Sequence, residues 1–151
     1  MDREVTIKVL TYYVNGLNAQ AFAHKVQGKV FAAQGFEALG AKYAEHAVEE
    51  VDWVNKMLDR ILDLGGVPTI EATQVIPVCV DIVAYLQAEQ KVSEEGIEVL
   101  RRDIQKLSDD MTTADLLKAY LKDEEEDLNW TVLQSELIAK IGLQNWLTKQ
   151  L

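Results

Sequence analysis

Only two prolines occur in the 151 residues, and both of them, Pro68 and Pro77, lie in one short segment preceded by Gly65-Gly66. The rest of the chain is rich in Ala, Leu, Glu, Lys and Gln, which favour helix, and strong breakers are rare there. A chain with its breakers gathered in one place can form long helices on either side of a single extended connection. We therefore expect an all-α fold.

Apolar residues recur every three or four positions along four segments, as one face of an amphipathic helix requires. The expected helices are about 4–33, 36–64, 80–106 and 113–141, and the tail 143–151 can form a short fifth helix. Gly35 and Gly142 are suited to ending the first and fourth helices. Thr113 offers a hydroxyl that can cap the start of the fourth helix.

The lengths of the connections restrict how these helices pack. Few residues join helices one and two, or three and four, so each pair is expected to form an antiparallel hairpin. The middle connection has ~15 residues and can extend about 45 Å, enough to return along a helix of ~28 residues, which is about 42 Å long. We expect a single domain, 1–151, built as a four-helix bundle with one long crossover and a short fifth helix.

Charge excludes several classes of function. The chain has 15 Lys and Arg against 25 Asp and Glu, a net charge of −10, and it lacks the basic stripes that bind phosphate backbones. We expect no binding to nucleic acid. No apolar run approaches the length of a membrane span, the charged start lacks a signal peptide's pattern, and Cys79 alone cannot form an internal disulfide. A cytoplasmic protein without membrane contact is expected.

Two acidic positions interrupt the predicted apolar faces. Glu50 is in register with the apolar face of the second helix, and Glu124 shares its face with leucines of the fourth. Five successive acids, Asp123–Asp127, surround the fourth helix on every side, so at least one must point inward. A buried carboxylate is costly unless it is paired, protonated or bound to a metal. The simplest alternative is that Glu50 reaches a basic residue or a tyrosine and that the acidic run is mostly solvated.

Two inward acids on helices from different hairpins favour a carboxylate-bridged metal site. Helical bundles build such sites from inward carboxylates on four helices, with a histidine one turn beyond two of them. Hard oxygen ligands of this kind suit iron or manganese.

Two stretches resemble a known family. The segment GFEALGAKYAEHAVEEVDWVNKMLDRILDLGGVP, which runs from Gly35 to Pro68, is similar to the second helix of bacterioferritins and Dps miniferritins. Its most specific part is Asp59-Arg60 with the Leu-Gly-Gly-x-Pro ending. The stretch TADLLKAYLKDEEEDLNW from Thr113 and the tail GLQNWL resemble bacterioferritin. The resemblance implies a ferritin-like fold and a subunit that self-assembles into a hollow shell.

The E-x-x-H ligand pairs of the family are altered in this chain. On the second helix the pair falls on Glu50 and Trp53, and on the fourth helix it falls on Glu124 and Asp127. Both glutamates are kept and both histidines are replaced. Asp127 would stand in for one of these histidines.

The remaining family ligands are also altered. The glutamate of the first helix falls near Leu17, and that of the third falls at about Ser93, where Glu94 is the nearest acid. The haem-ligating methionine falls on Val51, so haem is not expected. The inter-subunit centre of Dps falls on Gly28, Gly40, Asn55 and Asp59. The metal ligands that we predict are Glu50, Glu124, Asp127 and Glu94.

Three single residues lie outside this ligand set. His24 lies among small residues on the core face of the first helix, and we interpret it as a neutral core histidine rather than a metal ligand. His46 precedes Glu49 and Glu50 at helical spacing and can belong either to a solvated cluster or to an iron-uptake or mineral-nucleating surface. Cys79 is interpreted as a small buried hydrophobe.

The resemblance implies storage or sequestration of iron and protection from oxidative stress, with weak or absent ferroxidase activity. The alternatives are a non-catalytic structural subunit, which could co-assemble with an active one, and a diverged di-metal oxidase. The apolar residues of the tail, including Trp146 and Leu151, favour assembly, since exposed apolar patches usually mark interfaces.

Overall fold

A computed structural model describes residues 1–151 and is entirely helical. Its five helices are α1 (Arg3–Ala33), α2 (Glu37–Asp63), α3 (Ile82–Lys106), α4 (Met111–Ile141) and α5 (Leu143–Thr148). The expected four-helix bundle with a short fifth helix is confirmed, and the boundaries of the four long helices differ from expectation by at most two residues. No helix combines the length and the apolar character that crossing a membrane requires.

Aspartates, not the predicted threonine, cap three of the helices. Asp2, Asp81 and Asp110 precede α1, α3 and α4, and each accepts a hydrogen bond from a backbone N–H of the first turn. The prediction that Thr113 caps the fourth helix was wrong, because Asp110 is available earlier and Thr113 instead donates its N–H to Asp110. The helix therefore begins at Met111.

The Asp110 cap also fixes α4 to α2. Arg60 Nη2 lies 2.8 Å from Asp110 Oδ1, and Arg60 Nε donates to the Thr113 hydroxyl at 3.0 Å. Burial opposes ionisation of Asp110, but its hydrogen bonds from Thr113 and Arg60 outweigh burial and hold its pKa below the usual value. Arg60, from the Asp59-Arg60 pair of α2, thus binds the first turn of α4.

The crossover runs along α1 in the direction of that helix. Asn15 forms hydrogen bonds with the Thr69 carbonyl and the Glu71 N–H. Further along, the Gln27 side chain bonds to both the N–H and the carbonyl of Cys79. At the end of the helix, Gln34 Nε2 donates to the Val80 carbonyl. The segment therefore passes from the middle of α1 to its C-terminal end, where α3 begins. As a result α3 is parallel to α2, α4 is parallel to α1, and the predicted long crossover is confirmed.

Two apolar clusters fill the bundle and leave a polar layer between them. One surrounds Leu10, Met57 and Leu117, near the start of α1. The other surrounds Phe31, Tyr43 and Trp146, near its end. His24 and Glu50 are buried between these clusters, and the candidate functional site lies there.

The tail folds back onto its own chain. Trp146 is 1% exposed, belongs to the second apolar cluster and donates its indole N–H to Gln134 Oε1 at 3.0 Å. The Ala38 N–H donates to the Gln150 carbonyl, which holds α5 beside the start of α2. Trp146 is thus used within the subunit, whereas Leu151 is 72% exposed and remains available to a neighbour.

Candidate metal centre

A cavity of about 230 Å³ opens in the polar layer, and all four long helices line it. Its ionisable side chains are two histidines and four acids: His24 from α1, His46 and Glu50 from α2, Glu89 from α3, and Glu124 and Asp127 from α4. Tyr12, Tyr13 and Tyr120 line the side towards the start of α1. The bundle therefore gathers carboxylates from three helices and imidazoles from two around one space.

His24 links three helices across this cavity. Its Nδ1 bonds to Glu50 Oε1 on α2, and its Nε2 lies 2.8 Å from Glu89 Oε2 on α3. Burial alone would lower the pKa of His24, but its bonds to the two carboxylates outweigh burial and raise the pKa to about 10. The two carboxylates therefore favour the imidazolium form of the ring. His24 is a buried, hydrogen-bonded core residue as predicted, but its surroundings do not favour the neutral form that we expected.

The two carboxylates that hold His24 differ in their own ionisation. Burial opposes the charge of Glu89, but the hydrogen bond and charge of His24 overcome it and lower the pKa of Glu89. Burial raises the pKa of Glu50 despite its bond to the same ring. His24 thus stabilises the charge of Glu89 more than it stabilises the charge of Glu50.

The acids of α4 face the same space and lack a basic partner of this kind. Burial, followed by the charges of Asp127 and Glu50, raises the pKa of Glu124 to about 8. Burial, followed by the charges of Asp123 and Glu49, raises the pKa of Asp127 to about 7. A cation in the cavity would relieve both the desolvation and the like-charge repulsion.

Two buried polar atoms beside these acids have no hydrogen-bond partner. They are the hydroxyl of Tyr43 and Nε2 of His46. His46 Nε2 lies 3.4 Å from Asp127 Oδ1, but not in the geometry of a hydrogen bond. Burial, followed by the charge of His24, lowers the pKa of His46 to about 4, so this ring is neutral and its nitrogen lone pair can coordinate.

A second group of acids adjoins the cavity on the α2–α4 side. Glu49, Asp123 and Asp127 are half-buried, and one carboxylate oxygen from each lies within 4.8 Å of the other two. Asp127 belongs to both groups, so the negative potential extends from the interior to this outer cluster.

Three of the four predicted ligands, Glu50, Glu124 and Asp127, meet at the cavity, and Glu94 does not. Glu94 is exposed and accepts a hydrogen bond from Gln90 at 2.8 Å. It lies away from the cavity because the inward face of α3 carries Glu89 and Ser93. Glu89 was missed, although it lies one turn beyond the buried Tyr85 and shares its face of the helix.

The donor set fits a divalent first-row metal. Carboxylate oxygens and a neutral imidazole are ligands that iron and manganese accept. Nε2 of His46 makes no hydrogen bond within the protein, so this nitrogen is free to bind a metal. Hydrogen bonds from His24 fix two of the carboxylates in position, as outer partners do around many metal sites.

Comparison with known proteins agrees with this architecture. The Ferritin family, described as a ferritin-like domain, matches residues 7–141. A bacterial ferritin from Neisseria meningitidis serogroup B is 26% identical over 98% of this chain and 97% of its own length. A bacterial ferritin from Pseudomonas aeruginosa is 28% identical over 96% of both chains, and a bacterioferritin from Streptomyces coelicolor is 30% identical over 88% of this chain and 78% of its own. The chain, a helical bundle with one long crossover around a carboxylate-lined cavity, belongs to the ferritin-like family.

Proposed function

We propose that this protein stores or sequesters iron as a subunit of a ferritin-like shell, with slow oxidation of Fe(II) and a role in limiting peroxide chemistry. The observation that carries the proposal is the convergence of Glu50, Glu89, Glu124 and Asp127 on one cavity inside the bundle. The relatives named bacterial ferritin and bacterioferritin support it.

The substrate in this proposal is Fe(II), and the chain's own residues supply its binding site. Glu124 and Asp127 exchange their protons for the metal, since their raised pKa values reflect charges that lack a cation. Glu50 and Glu89 are held in place by His24 and are therefore less free to move towards a metal. This restraint, together with the replaced E-x-x-H pairs, is the reason to expect slow rather than rapid oxidation.

Self-assembly is part of the proposal, because storage needs an enclosed volume. Apolar side chains on the outer surface of α1 and α2, such as Phe22 at 68% and Val48 at 65% exposure, offer area for contact between subunits. The native particle should be much larger than the 17.0 kDa chain.

The test combines native mass with iron loading in air. We expect a shell that retains iron through gel filtration and forms the Fe(III) absorbance slowly. The quadruple replacement of Glu50, Glu89, Glu124 and Asp127 by their amides should keep the shell and lower the initial rate of iron uptake. A monomer at micromolar concentration, or a shell that excludes iron, would refute the proposal.

A non-catalytic partner subunit is the second candidate, and the His24 triad favours it. An imidazolium that already neutralises carboxylates gives the bundle a stable interior without metal. In that case this subunit would assemble, show no oxidation of its own, and take up iron only when mixed with an active ferritin-like chain. Co-expression of the two followed by native mass spectrometry distinguishes this role from storage by the homo-oligomer.

A further inference from the structure

The two buried atoms that lack partners point to a metal position different from the one that the family resemblance implies. Tyr43 and His46 lie one turn apart on α2, and their ring centroids are 5.6 Å apart. Tyr43 is 1% exposed and His46 is 5% exposed, so water cannot freely satisfy either atom. A buried polar group without a partner is destabilising, and such groups need an explanation.

Acids from the two facing helices surround this pair. Asp127 of α4 lies 3.4 Å from His46 Nε2. Burial raises the pKa of Tyr43, and the nearby charges of Glu89 and Asp127 raise it further. Both carboxylates are therefore close enough to act on its hydroxyl. His24 packs against both rings, with centroids 5.9 Å from Tyr43 and 5.8 Å from His46.

His24, His46 and Glu89 are all offset in one direction along the bundle from the positions that the resemblance implies, whereas Glu50, Glu124 and Asp127 lie at such positions. On α1, the ligand position implied by resemblance is Leu17, whereas His24 follows about two turns later, or ~10 Å. On α2, His46 precedes Trp53 by the same distance, and because α2 is antiparallel to α1 this is the same direction in space. On α3, Glu89 precedes Ser93 by about one turn, again towards the end where α1 finishes.

We propose that the metal centre of this bundle is displaced towards the α1–α2 turn, with His46 Nε2, Glu89 and Asp127 as ligands and the Tyr43 hydroxyl beside them. This inference rests on the proposed iron function and specifies its site. His46 replaces the histidine that the E-x-x-H pattern would have supplied from position 53. His24 holds Glu89 in place from the opposite side.

The test uses Co²⁺ as an air-stable probe on the assembled wild-type protein. Equilibrium dialysis measures the affinity, and X-ray absorption at the cobalt edge detects imidazole bound to the metal. His46→Gln and Glu89→Gln should each weaken Co²⁺ binding at least about tenfold. His46→Gln should also remove the imidazole signal, and the Glu89 variant preserves the test if the His46 variant does not assemble.

Ser93→Ala and Glu94→Gln are the matched controls on α3. Both replace residues at or next to the position implied by resemblance, and neither should change the affinity. Wild-type affinity in His46→Gln, or a loss confined to Ser93→Ala, would overturn the inference, as would the absence of any cobalt site. An iron-filled His46→Gln shell with unaltered cobalt binding would overturn the displaced centre and leave the storage function intact.

Discussion

Trp53 donates its indole N–H to Asp123 Oδ2 at 3.0 Å, across the seam between α2 and α4. Trp53, which stands where the resemblance implies a histidine, therefore acts as a hydrogen-bond donor to an acid. Asp123 is one of the three acids of the outer cluster, so the tryptophan fixes one of its oxygens. The side chain at position 53 thus links α2 to α4 through a hydrogen bond.

Trp53→Phe should destabilise the fold by about 1 kcal/mol beyond the loss of ring area, because the partly buried Asp123 loses a donor. Urea unfolding of the metal-free protein measures the change. Trp130→Phe is the control, since Trp130 also packs against α2 residues but makes no side-chain hydrogen bond. Equal losses in the two variants would show that the hydrogen bond contributes nothing.

Glu124→Gln should change how stability depends on pH. The carboxyl group has an ordinary pKa of 4.5 and a folded value of about 8, so between these limits the folded state holds more protons than the unfolded one. The free energy of unfolding of the metal-free wild type therefore falls as pH rises through this range, by roughly 2–4 kcal/mol.

Thermal unfolding at pH 5 and pH 8 tests this expectation. The Glu124→Gln protein should lose less stability over that interval and should exceed the wild type at pH 8. Glu126→Gln, which alters an exposed acid of the same helix, should follow the wild type. Parallel pH profiles for the wild type and Glu124→Gln would mean that Glu124 reaches water in solution.

Gly28→Ala should force α1 and α2 apart where their backbones pack closely and should lower the free energy of unfolding. A Cβ at position 28 would lie 2.7 Å from the Gly40 carbonyl oxygen, which is backbone and cannot move aside cheaply. We expect a loss of about 1–3 kcal/mol. Gly16→Ala, on the same helix with nothing within 4 Å of the new Cβ, should instead stabilise by up to about 1 kcal/mol. Chemical denaturation of both variants checks the difference, and a neutral Gly28→Ala would contradict the close approach.

Trp146→Ala should cost about 3–5 kcal/mol, because this ring is fully buried in the second apolar cluster and its N–H satisfies Gln134. Leu151→Ala, at an exposed position five residues later, should leave the stability of the isolated subunit within about 0.5 kcal/mol of the wild type. A small effect of Trp146→Ala would indicate that α5 detaches in solution.

Duplex DNA should not be retarded by this protein at physiological salt. The net charge of −10 repels the phosphate backbone, and screening by salt reduces any local attraction further. An electrophoretic mobility assay between 20 and about 150 mM salt measures this directly. Retardation that weakens steeply as salt rises would reveal a basic surface formed by assembly.

Helix length and topology could be predicted because they depend on where breakers fall and on how far a connection can reach. The fourth helix begins earlier than expected because Asp110 and Thr113 both offer capping oxygens, and it is Asp110 that accepts the backbone N–H. Arg60 binds both of these side chains from about fifty positions away in the chain, a contact that no local pattern reveals.

The candidate site could be predicted only in part, for a related reason. Glu50 and Glu124 stand out because an acid on an apolar face is costly, and that cost is visible in the sequence. Glu89 lies among polar neighbours on α3, so it does not stand out as an acid on an apolar face, and the resemblance points to position 93, next to Glu94, instead. The imidazolium of His24 depends on two carboxylates from other helices, which no local pattern reveals.

The anchors of the crossover have a consequence for how the chain is made. Asn15 and Gln27 belong to α1, Gln34 directly follows it, and the segment that these residues hold ends at Val80. During synthesis from the N-terminus, these three hydrogen-bonding partners are therefore translated before the crossover and before α3. The crossover can form these bonds without α3, and they place the start of α3 at the C-terminal end of α1.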